Sequence, residues 1–290
     1  MTVTPRVSRR QCLGMLAAGA LRAAPSAIVP GVQLYAVRSL LRKDPDATLK
    51  ALAGIGYKDV EGFSRAATVA LAPKIGQAGL VLRSCQIEPP LITGDWEPHP
   101  GLKPLSLAEA IDSVAGAGAE YFTMGYIEPG ARGDGDDFFR RTADRMNVTA
   151  ELCRRSGLKF AWQSHAFEFG RALGVRPVDI YKERLDPKLV GMELDVFWAA
   201  VAGQDPVRLL KEWKGRVPLL RLSDKAKDAP HQVSEAIGQG AFVELGEGDI
   251  DFAAILKAAS AAGTKCYFVG RELTDGDPVE SLRRAFARLT

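Results

Sequence analysis

The sequence has few cysteines and no spacing that suggests a shared role for them. The four are Cys12, Cys85, Cys153 and Cys266, and no two of them form a CxxC pair. Cys12 lies in an N-terminal stretch that is described below as a removable signal, which leaves an odd number. We therefore expect buried free thiols in the folded domain.

Long hydrophobic runs and clustered basic residues are also missing. After the N-terminal stretch no run approaches the 18 or so apolar residues that a membrane-spanning helix requires. The net charge is only +3 and the basic residues are scattered, so nothing indicates a nucleic-acid groove. The apolar fraction of 47% and the charged fraction of 25% are typical of a soluble globular protein.

The N-terminal stretch, by contrast, carries a recognisable pattern. Arg9 and Arg10 precede a short apolar segment at 15–21 and small residues at 23–27. This order of charge, apolar segment and small residues predicts a twin-arginine (Tat) export signal over 1–27 and a periplasmic location. A short first helix that happens to contain two arginines is the alternative. Residues 28–290 then form the domain.

A helix that ends in glycine and is followed at once by a strand recurs along this domain. Gly56, Gly79, Gly118, Gly157 and Gly263 each stand at such a junction. A glycine just after a helix closes it through the left-handed region. Repeated helix–Gly–strand units predict alternating helices and parallel strands.

Eight strand segments can be placed in this way, at residues 31–37, 57–61, 80–86, 121–126, 159–163, 190–196, 217–223 and 266–269. Eight βα units in about 260 residues predict a single (β/α)8 TIM barrel. An open, doubly wound sheet is the alternative. No Gly-x-Gly-x-x-Gly follows the first strand, which counts against a nucleotide-binding form of that sheet.

The fifth and sixth strands turn polar at their carboxyl ends. Side chains alternate faces along a strand, so Gln163 shares a face with His165, and Glu193 shares one with Asp195. A barrel keeps its chemistry at the carboxyl ends of its strands. These residues are therefore the first candidates for a functional site.

Six blocks in order resemble the sugar phosphate isomerase/epimerase group of the xylose isomerase-like TIM barrels. They are GVQLYAVR at 31–38, GYKDVE at 56–61, ELDVFW at 193–198, VPLL at 217–220, LGEGDIDF at 245–252 and DPVESL at 277–282. The resemblance spans nearly all of residues 28–290. It implies a barrel that binds a small sugar and moves a proton next to a carbonyl group.

The same resemblance implies a divalent metal held by carboxylates and histidines, but several ligand positions differ here. The group usually has His at the positions of Gln86, Gln163 and Arg221, and Glu at the position of Gly270. A divalent cation requires several oxygen or imidazole ligands, and a guanidinium repels it. We therefore expect no bound metal and no other cofactor, with Arg221 pairing with Asp195 across adjacent strands.

The candidate catalytic residues are Asp195, His165, Glu193 and Arg221. The candidate substrate-binding residues are Gln33, Tyr35, Glu61, Gln86, Gln163 and Glu272, where Gln33 and Tyr35 are placed on one face of the first strand. A structural role is the alternative for the catalytic candidates: a cap or salt bridge for Asp195, a buried pair for Glu193, a structural histidine for His165 and a buried ion pair for Arg221. Glu168 is expected to serve the turn after the fifth strand, and His99 and His231 to be solvated. Trp96, Trp162 and Trp198 could stack on a sugar, although packing is their more common role.

Two functions follow from these features. One is an exported isomerase or epimerase that acts on a small sugar or keto-sugar without a metal. The other is a sugar-binding protein that has lost catalysis, as the missing ligand positions suggest. Lyase or hydrolase chemistry on the same barrel also remains open. The expected partner is a small carbohydrate, with no nucleic acid and no stable membrane insertion, and the oligomeric state is not predicted.

Overall fold

The structure is a computed structural model that describes residues 30–96, 104–133, 135–171, 174–270 and 276–290. The predicted export signal, His99 and Glu272 lie outside these residues. Within them, no helix is long and apolar enough to cross a membrane.

Eight parallel strands close into one barrel, which confirms the predicted (β/α)8 fold. The strands are β1 (Gly31–Gln33), β2 (Asp59–Gly62), β3 (Val81–Ile87), β4 (Tyr121–Met124), β5 (Lys159–Gln163), β6 (Val190–Asp195), β7 (Leu219–Leu222) and β10 (Cys266–Val269). Around the barrel they follow the order β1-β10-β7-β6-β5-β4-β3-β2. Two further strands, β8 (Asp224–Lys225) and β9 (Phe242–Val243), form an antiparallel pair between β7 and the next helix.

Helices surround this barrel and connect the strands. They are α1 (Arg38–Lys43), α2 (Pro45–Ile55), α3 (Arg65–Gln77), α4 (Pro90–Thr93), α5 (Leu107–Gly116), α6 (Asp136–Arg155), α7 (Pro177–Arg184), α8 (Val196–Val201), α9 (Pro206–Glu212), α10 (Phe252–Ala262) and α11 (Pro278–Leu289). Short 3-10 helices lie at Leu34–Val37, Pro129–Ala131, Phe167–Phe169 and Gln239–Ala241.

Local sequence signals explain most of these boundaries. All five junction glycines have positive φ angles, which favour glycine because side chains with a Cβ are strained there. Asp44, Asp205 and Asp277 accept hydrogen bonds from backbone N–H groups at the starts of α2, α9 and α11. Ser106 and Glu109 form a capping box at the start of α5.

Several predicted boundaries were wrong. The first strand ends at Gln33 and not at residue 37, because the Gln33 side chain accepts a hydrogen bond from the Tyr35 N–H and the chain turns into a 3-10 helix. The seventh strand is shorter at both ends than predicted. Helix α10 begins at Phe252, with Asp251 at its N-cap.

The core consists of one large apolar cluster and two smaller ones. A large apolar cluster fills the space between the strands and the helices, and Trp162 lies in it against Tyr181 and Trp213. A smaller cluster, composed of Tyr121, Ala161, Leu219, Cys266 and Phe268, packs separately. Cys85, Cys153 and Cys266 are all buried free thiols, as expected. Because Trp162 lies within the large cluster, its ring contributes to core packing.

Candidate functional site

A cavity of about 860 Å³ has the polar ends of the barrel strands among its lining residues. The strands supply Gln33, Gln86, Gln163 and Arg221, and the turn after β5 supplies His165. The connecting segments supply the remaining walls, among them Tyr35, Phe63, Glu88, Tyr126, Glu128, Arg132, Trp198, Val233 and Glu235. The cavity thus combines amide, imidazole and guanidinium groups with aromatic rings.

Two of the amides are fixed in a chain of hydrogen bonds that crosses the barrel. The Gln86 Nε2 donates to Gln163 Oε1 at 2.6 Å and to Glu61 Oε1 at 3.3 Å. The Gln163 Nε2 in turn donates to Asp195 Oδ2 at 3.0 Å. Each amide is therefore held in one orientation by its neighbours, which fixes the polar face that it presents to the cavity.

Asp195 ends this chain and is fully engaged by protein groups. It is opposite Arg221 in the register of β6 and β7, and its Oδ2 lies 3.7 Å from Arg221 Nε. Its Oδ1 accepts hydrogen bonds from the N–H groups of Phe197 and Trp198 at the start of α8. The expected pairing of Asp195 with Arg221 is confirmed.

Two further carboxyl groups, those of Glu61 and Glu193, are completely buried. Glu61 Oε2 and both oxygens of Glu193 accept no hydrogen bond from the described residues. Burial raises the pKa of Glu61 to about 7, although the Arg221 guanidinium acts in the opposite direction. Burial and the nearby Glu61 raise the pKa of Glu193 well above its ordinary value. The pair therefore retains at least one proton near neutral pH.

His165 is buried but faces the same cavity. Its backbone N–H donates to Glu168 Oε2 at 2.8 Å, so Glu168 serves the turn as predicted. Its Nδ1 lies 3.2 Å from the carbonyl oxygen of Gln163, and its ring centroid lies 4.8 Å from that of Tyr126. Burial, reinforced by the positive charge of Arg221, lowers the pKa of His165 to about 3. The imidazole is therefore neutral at physiological pH.

Gln33 and Tyr35 both line the cavity, although not for the reason that strand alternation suggested. Gln33 is the last residue of β1, and Tyr35 lies in the 3-10 helix that follows. The Tyr35 ring packs edge-on against Phe63, with centroids 5.6 Å apart, and the Arg38 guanidinium lies 3.8 Å from its centroid. Tyr35 is thus positioned by Phe63, which follows β2, and by Arg38, the first residue of α1.

The structure places the predicted residues in two groups. Gln33, Tyr35, Gln86, Gln163, His165 and Arg221 line the cavity. Glu61, Glu193 and Asp195 are buried and are not among its lining residues. Glu272 lies outside the described residues. His231, placed in solvent by the sequence, is exposed, with Nδ1 3.1 Å from the Ala200 carbonyl oxygen.

Sequence reasoning missed one cluster at this cavity. Arg132 pairs with Glu235 at 2.9 Å, and the hydroxyl of Tyr126 donates to the same carboxylate at 3.0 Å. Arg132 and Glu235 are 103 residues apart in the chain, and neither follows a strand directly. No local signal in the sequence could have joined them.

The metal that the resemblance implies can be tested against these side chains. In the described ranges, no three His, Cys, Asp or Glu side chains are grouped so that they could hold a metal ion. Gln86 and Gln163 are bonded to each other, and Arg221 carries a fixed positive charge. A Cβ added to Gly270 would lie 3.2 Å from Arg221 Nε, so Arg221 occupies space that a side chain at position 270 would need. The described residues do not fit a divalent cation.

Comparison with known proteins places this site in context. No protein-family model matches the chain. The inosose dehydratase of Geobacillus kaustophilus (strain HTA426) is 28% identical over 127 residues, which cover 41% of each protein. The inosose dehydratase of Clostridium perfringens (strain ATCC 13124) is 25% identical over 129 residues, or 42% of this chain and 43% of that protein. The chain thus spans about two fifths of the length of the curated relatives it matches.

Solved structures match over nearly the whole chain. A sugar phosphate isomerase/epimerase from Parabacteroides distasonis superposes with a TM-score of 0.72 and 22% identity, covering 95% of this chain and 98% of that one. The 3-keto-D-glucoside 4-epimerase of E. coli superposes with a TM-score of 0.67 and 14% identity, covering 90% and 98%. At these identities the likeness shows the fold alone, which is the closed barrel described above.

Proposed function

We propose that this protein is an isomerase or epimerase-like enzyme that removes a proton next to the carbonyl group of a small keto-sugar or keto-polyol. The observation that carries the proposal is a neutral, buried imidazole that shares a cavity with a guanidinium. The relatives named for inosose dehydration and for epimerisation support it. Both reactions can begin by proton removal beside a carbonyl.

His165 is the proposed base. A carbonyl oxygen only accepts hydrogen bonds, so the contact with Gln163 places the ring hydrogen on Nδ1 and leaves a lone pair on Nε2. The predicted carboxylate bases are less suited, because Glu61, Glu193 and Asp195 do not line the cavity. As the substrate becomes negative, its charge stabilises the imidazolium and strengthens the base.

Arg221 is the proposed stabiliser of that negative charge. The carbon–hydrogen bond breaks, its proton passes to His165 Nε2, and its electron pair forms an enolate whose oxygen accepts hydrogen bonds from the guanidinium. Protonation of the other face by a second donor, such as water, gives an epimer, and His165 then releases its proton to solvent. Return of the proton from His165 to the former carbonyl carbon gives an isomer when the neighbouring hydroxyl passes its proton to the former carbonyl oxygen. Loss of a hydroxide from the next carbon would give dehydration.

A second candidate is sugar binding without turnover. The observation that favours it is that, among the described lining residues, the barrel strands supply no carboxylate to the cavity. Under this alternative, the amides of Gln86 and Gln163 hold hydroxyl groups and no bond is broken.

Proton exchange with solvent separates the two functions. The protein is incubated in heavy water with L-ribulose, inosose and a 3-keto-D-glucoside, and deuterium incorporation beside the carbonyl is followed by NMR. An enzyme incorporates deuterium even when no net product forms, whereas a binding protein raises its melting temperature with the ligand and exchanges nothing.

The variant His165→Gln tests the proposed base. Exchange should fall by about 100-fold or more, which is typical for loss of a general base. His231→Gln is the matched control, because His231 makes the same type of Nδ1–carbonyl contact but does not line this cavity. Because the pKa of His165 is about 3, wild-type exchange should show no loss attributable to this group between pH 8 and pH 5. Equal exchange in both variants would remove His165 from the mechanism.

We also propose that the protein works without a metal or other cofactor. The paired amides and the guanidinium of Arg221 support this. Elemental analysis of protein purified without chelators should find less than one equivalent of divalent metal, and chelation should leave exchange unchanged. One tightly bound equivalent of zinc, manganese or cobalt would contradict the proposal.

A further inference from the structure

Arg132 and Glu235 form an ion pair on the wall of the cavity. Arg132 Nη2 lies 2.9 Å from Glu235 Oε2, and the two side chains are only 16% and 10% exposed. Both residues line the cavity. An ion pair sheltered to this degree is less screened by water and salt than a pair on the open surface.

The pair is held by further contacts on both sides. The other oxygen of Glu235 accepts a hydrogen bond from the Phe167 N–H at 2.9 Å, and Tyr126 donates to the oxygen that Arg132 contacts. The Arg132 guanidinium lies 3.6 Å from the centroid of the Phe167 ring, and its Nε donates to the carbonyl oxygen of Ile127. Arg132 thus stays at the cavity with its charge balanced by Glu235.

This balance affects which substrates the cavity can accept. A phosphate or carboxylate group is bound most strongly by a guanidinium that has no other anion. Of the described lining residues, only Arg132 and Arg221 are cations, and each lies beside a carboxylate. Glu88 and Glu128 add further negative charge to the lining.

We propose that Glu235 is a specificity-determining residue that neutralises Arg132 and thereby limits this cavity to uncharged polyhydroxy carbonyl compounds. Phosphate esters and sugar acids are excluded because they would need the guanidinium that Glu235 occupies. The inference rests on the proposed function in one respect only, that this cavity receives the substrate.

The variant Glu235→Gln tests this role with inorganic phosphate as the probe. Glutamine keeps the size of the side chain and an oxygen for the Phe167 N–H, but it leaves Arg132 without its counter-charge. Calorimetry should show phosphate binding at least about tenfold tighter than in the wild type, weakening as sodium chloride is added.

Glu128→Gln is the matched control. It removes one negative charge from the same cavity lining, but Glu128 is an exposed residue and Arg132 keeps its partner. It should therefore leave phosphate binding at the wild-type level. An equal gain in both variants would show a general charge effect, and no gain in Glu235→Gln would show that the pair does not control anion access; either result overturns the proposal.

The wild-type protein supplies a second test if Glu235→Gln does not fold. D-fructose and D-fructose 6-phosphate are compared by their effect on the melting temperature. The free sugar should raise the melting temperature more than the phosphate ester does, and an equal or stronger effect of the ester would overturn the proposal. These measurements follow binding and not proton exchange, so their failure is distinct from failure of the proposed catalysis.

Discussion

Asp195 shows how one carboxylate can serve the scaffold and the site together. It caps α8, accepts a hydrogen bond from Gln163 and lies beside Arg221, and it is almost completely buried. Loss of its charge would leave the Arg221 guanidinium with less compensation in a buried position. The structure therefore makes a large effect on stability the expected result of changing it.

We predict that Asp195→Asn lowers the free energy of unfolding by about 3 kcal/mol, the usual cost of breaking a buried ion pair. Asp205→Asn is the control, since Asp205 also caps a helix but forms no ion pair within the described part of the chain, and Asn caps nearly as well. Denaturant unfolding measures both. In the Arg221→Met background the cost of Asp195→Asn should shrink, as a double-mutant cycle would report. Equal costs for the two Asp→Asn changes would contradict the role of the pair.

The buried Glu61 predicts a dependence of stability on pH. Its pKa in the folded protein is about 7, above the ordinary value of 4.5. The unfolded chain therefore loses this proton at a lower pH than the folded chain does. The stabilisation that Glu61 provides is complete below pH 4.5 and is lost as the pH rises through 7.

We predict that Glu61→Gln removes this loss. The stability of the variant relative to the wild type should rise between pH 4.5 and pH 8, by an amount that includes Glu193, because Glu61 also raises the pKa of Glu193. The neutral His165 has the opposite dependence, because its pKa is lowered and its contribution is lost as the pH falls below 6.5. The contribution of His165 is present in both the wild type and Glu61→Gln, so it largely cancels when their stabilities are compared. Unfolding measured across this range should show the rise, and a constant difference would mean that Glu61 is ionised throughout.

At the scale of single elements, the ends of β7 and β10 determine what fills the barrel mouth. The guanidinium of Arg221 extends from β7 to the space beside Gly270, just after β10. A Cβ at position 270 would also lie 3.3 Å from the Cβ of Gln33. The absence of a side chain at Gly270 and the presence of Arg221 therefore depend on each other.

We predict that Gly270→Ala destabilises the protein by about 1–3 kcal/mol through overpacking. The cost should be smaller when Arg221 is replaced by a shorter side chain, as in Arg221→His. Gly54→Ala is the control, because Gly54 lies in α2 with no atom near its added Cβ, and it should be neutral or stabilising. If the two alanine substitutions have equal effects in thermal unfolding, Arg221 does not limit this space.

Positions 221 and 270 can also be changed together to test whether a metal site can be restored. Arg221→His together with Gly270→Glu would replace the charge that repels a cation by two ligands, and we expect zinc or manganese then to raise the melting temperature. Arg221→His alone should not respond, because position 270 would still lack a carboxylate.

At the scale of the whole molecule, closure of the barrel is what collects the site. Residues from β1, β3, β5 and β7 line one cavity although more than 180 positions separate the first from the last. Parallel strands with alternating helices bring all their carboxyl ends to one side, which is why polar strand ends predict a common site. The expectation of a shared cavity holds for Gln33, Gln86, Gln163 and Arg221, and their roles in binding or catalysis stay predictions.

Export of the whole protein remains a proposal that rests on Arg9 and Arg10. We predict that the protein stays in the cytoplasm when both arginines are changed to lysine, because twin-arginine export requires this pair. Cell fractionation followed by immunoblotting measures the result, with the wild-type protein as the control. Unchanged export of the double variant would contradict a twin-arginine signal.

The sequence by itself determined the features that depend on neighbours along the chain. These features are the junction glycines, the Asp-Pro helix starts and the capping box at Ser106, and each acts within a few residues of the chain. Eight βα units built from them can form only a few closed arrangements. The first strand departed from its pattern because the Gln33 side chain competes for the Tyr35 N–H. This hydrogen bond also joins residues that are close in the chain, but a pattern of alternating side chains does not predict it.

The tertiary structure decided the features that depend on burial and on contacts between distant segments. It made His165 neutral by burying it near Arg221, and it placed Glu61 and Glu193 together where water cannot stabilise two charges. It also joined Arg132 to Glu235, so that a cation at the cavity is already neutralised. Charge and pKa depend on the three-dimensional surroundings of a group, and the order of residues does not specify those surroundings directly.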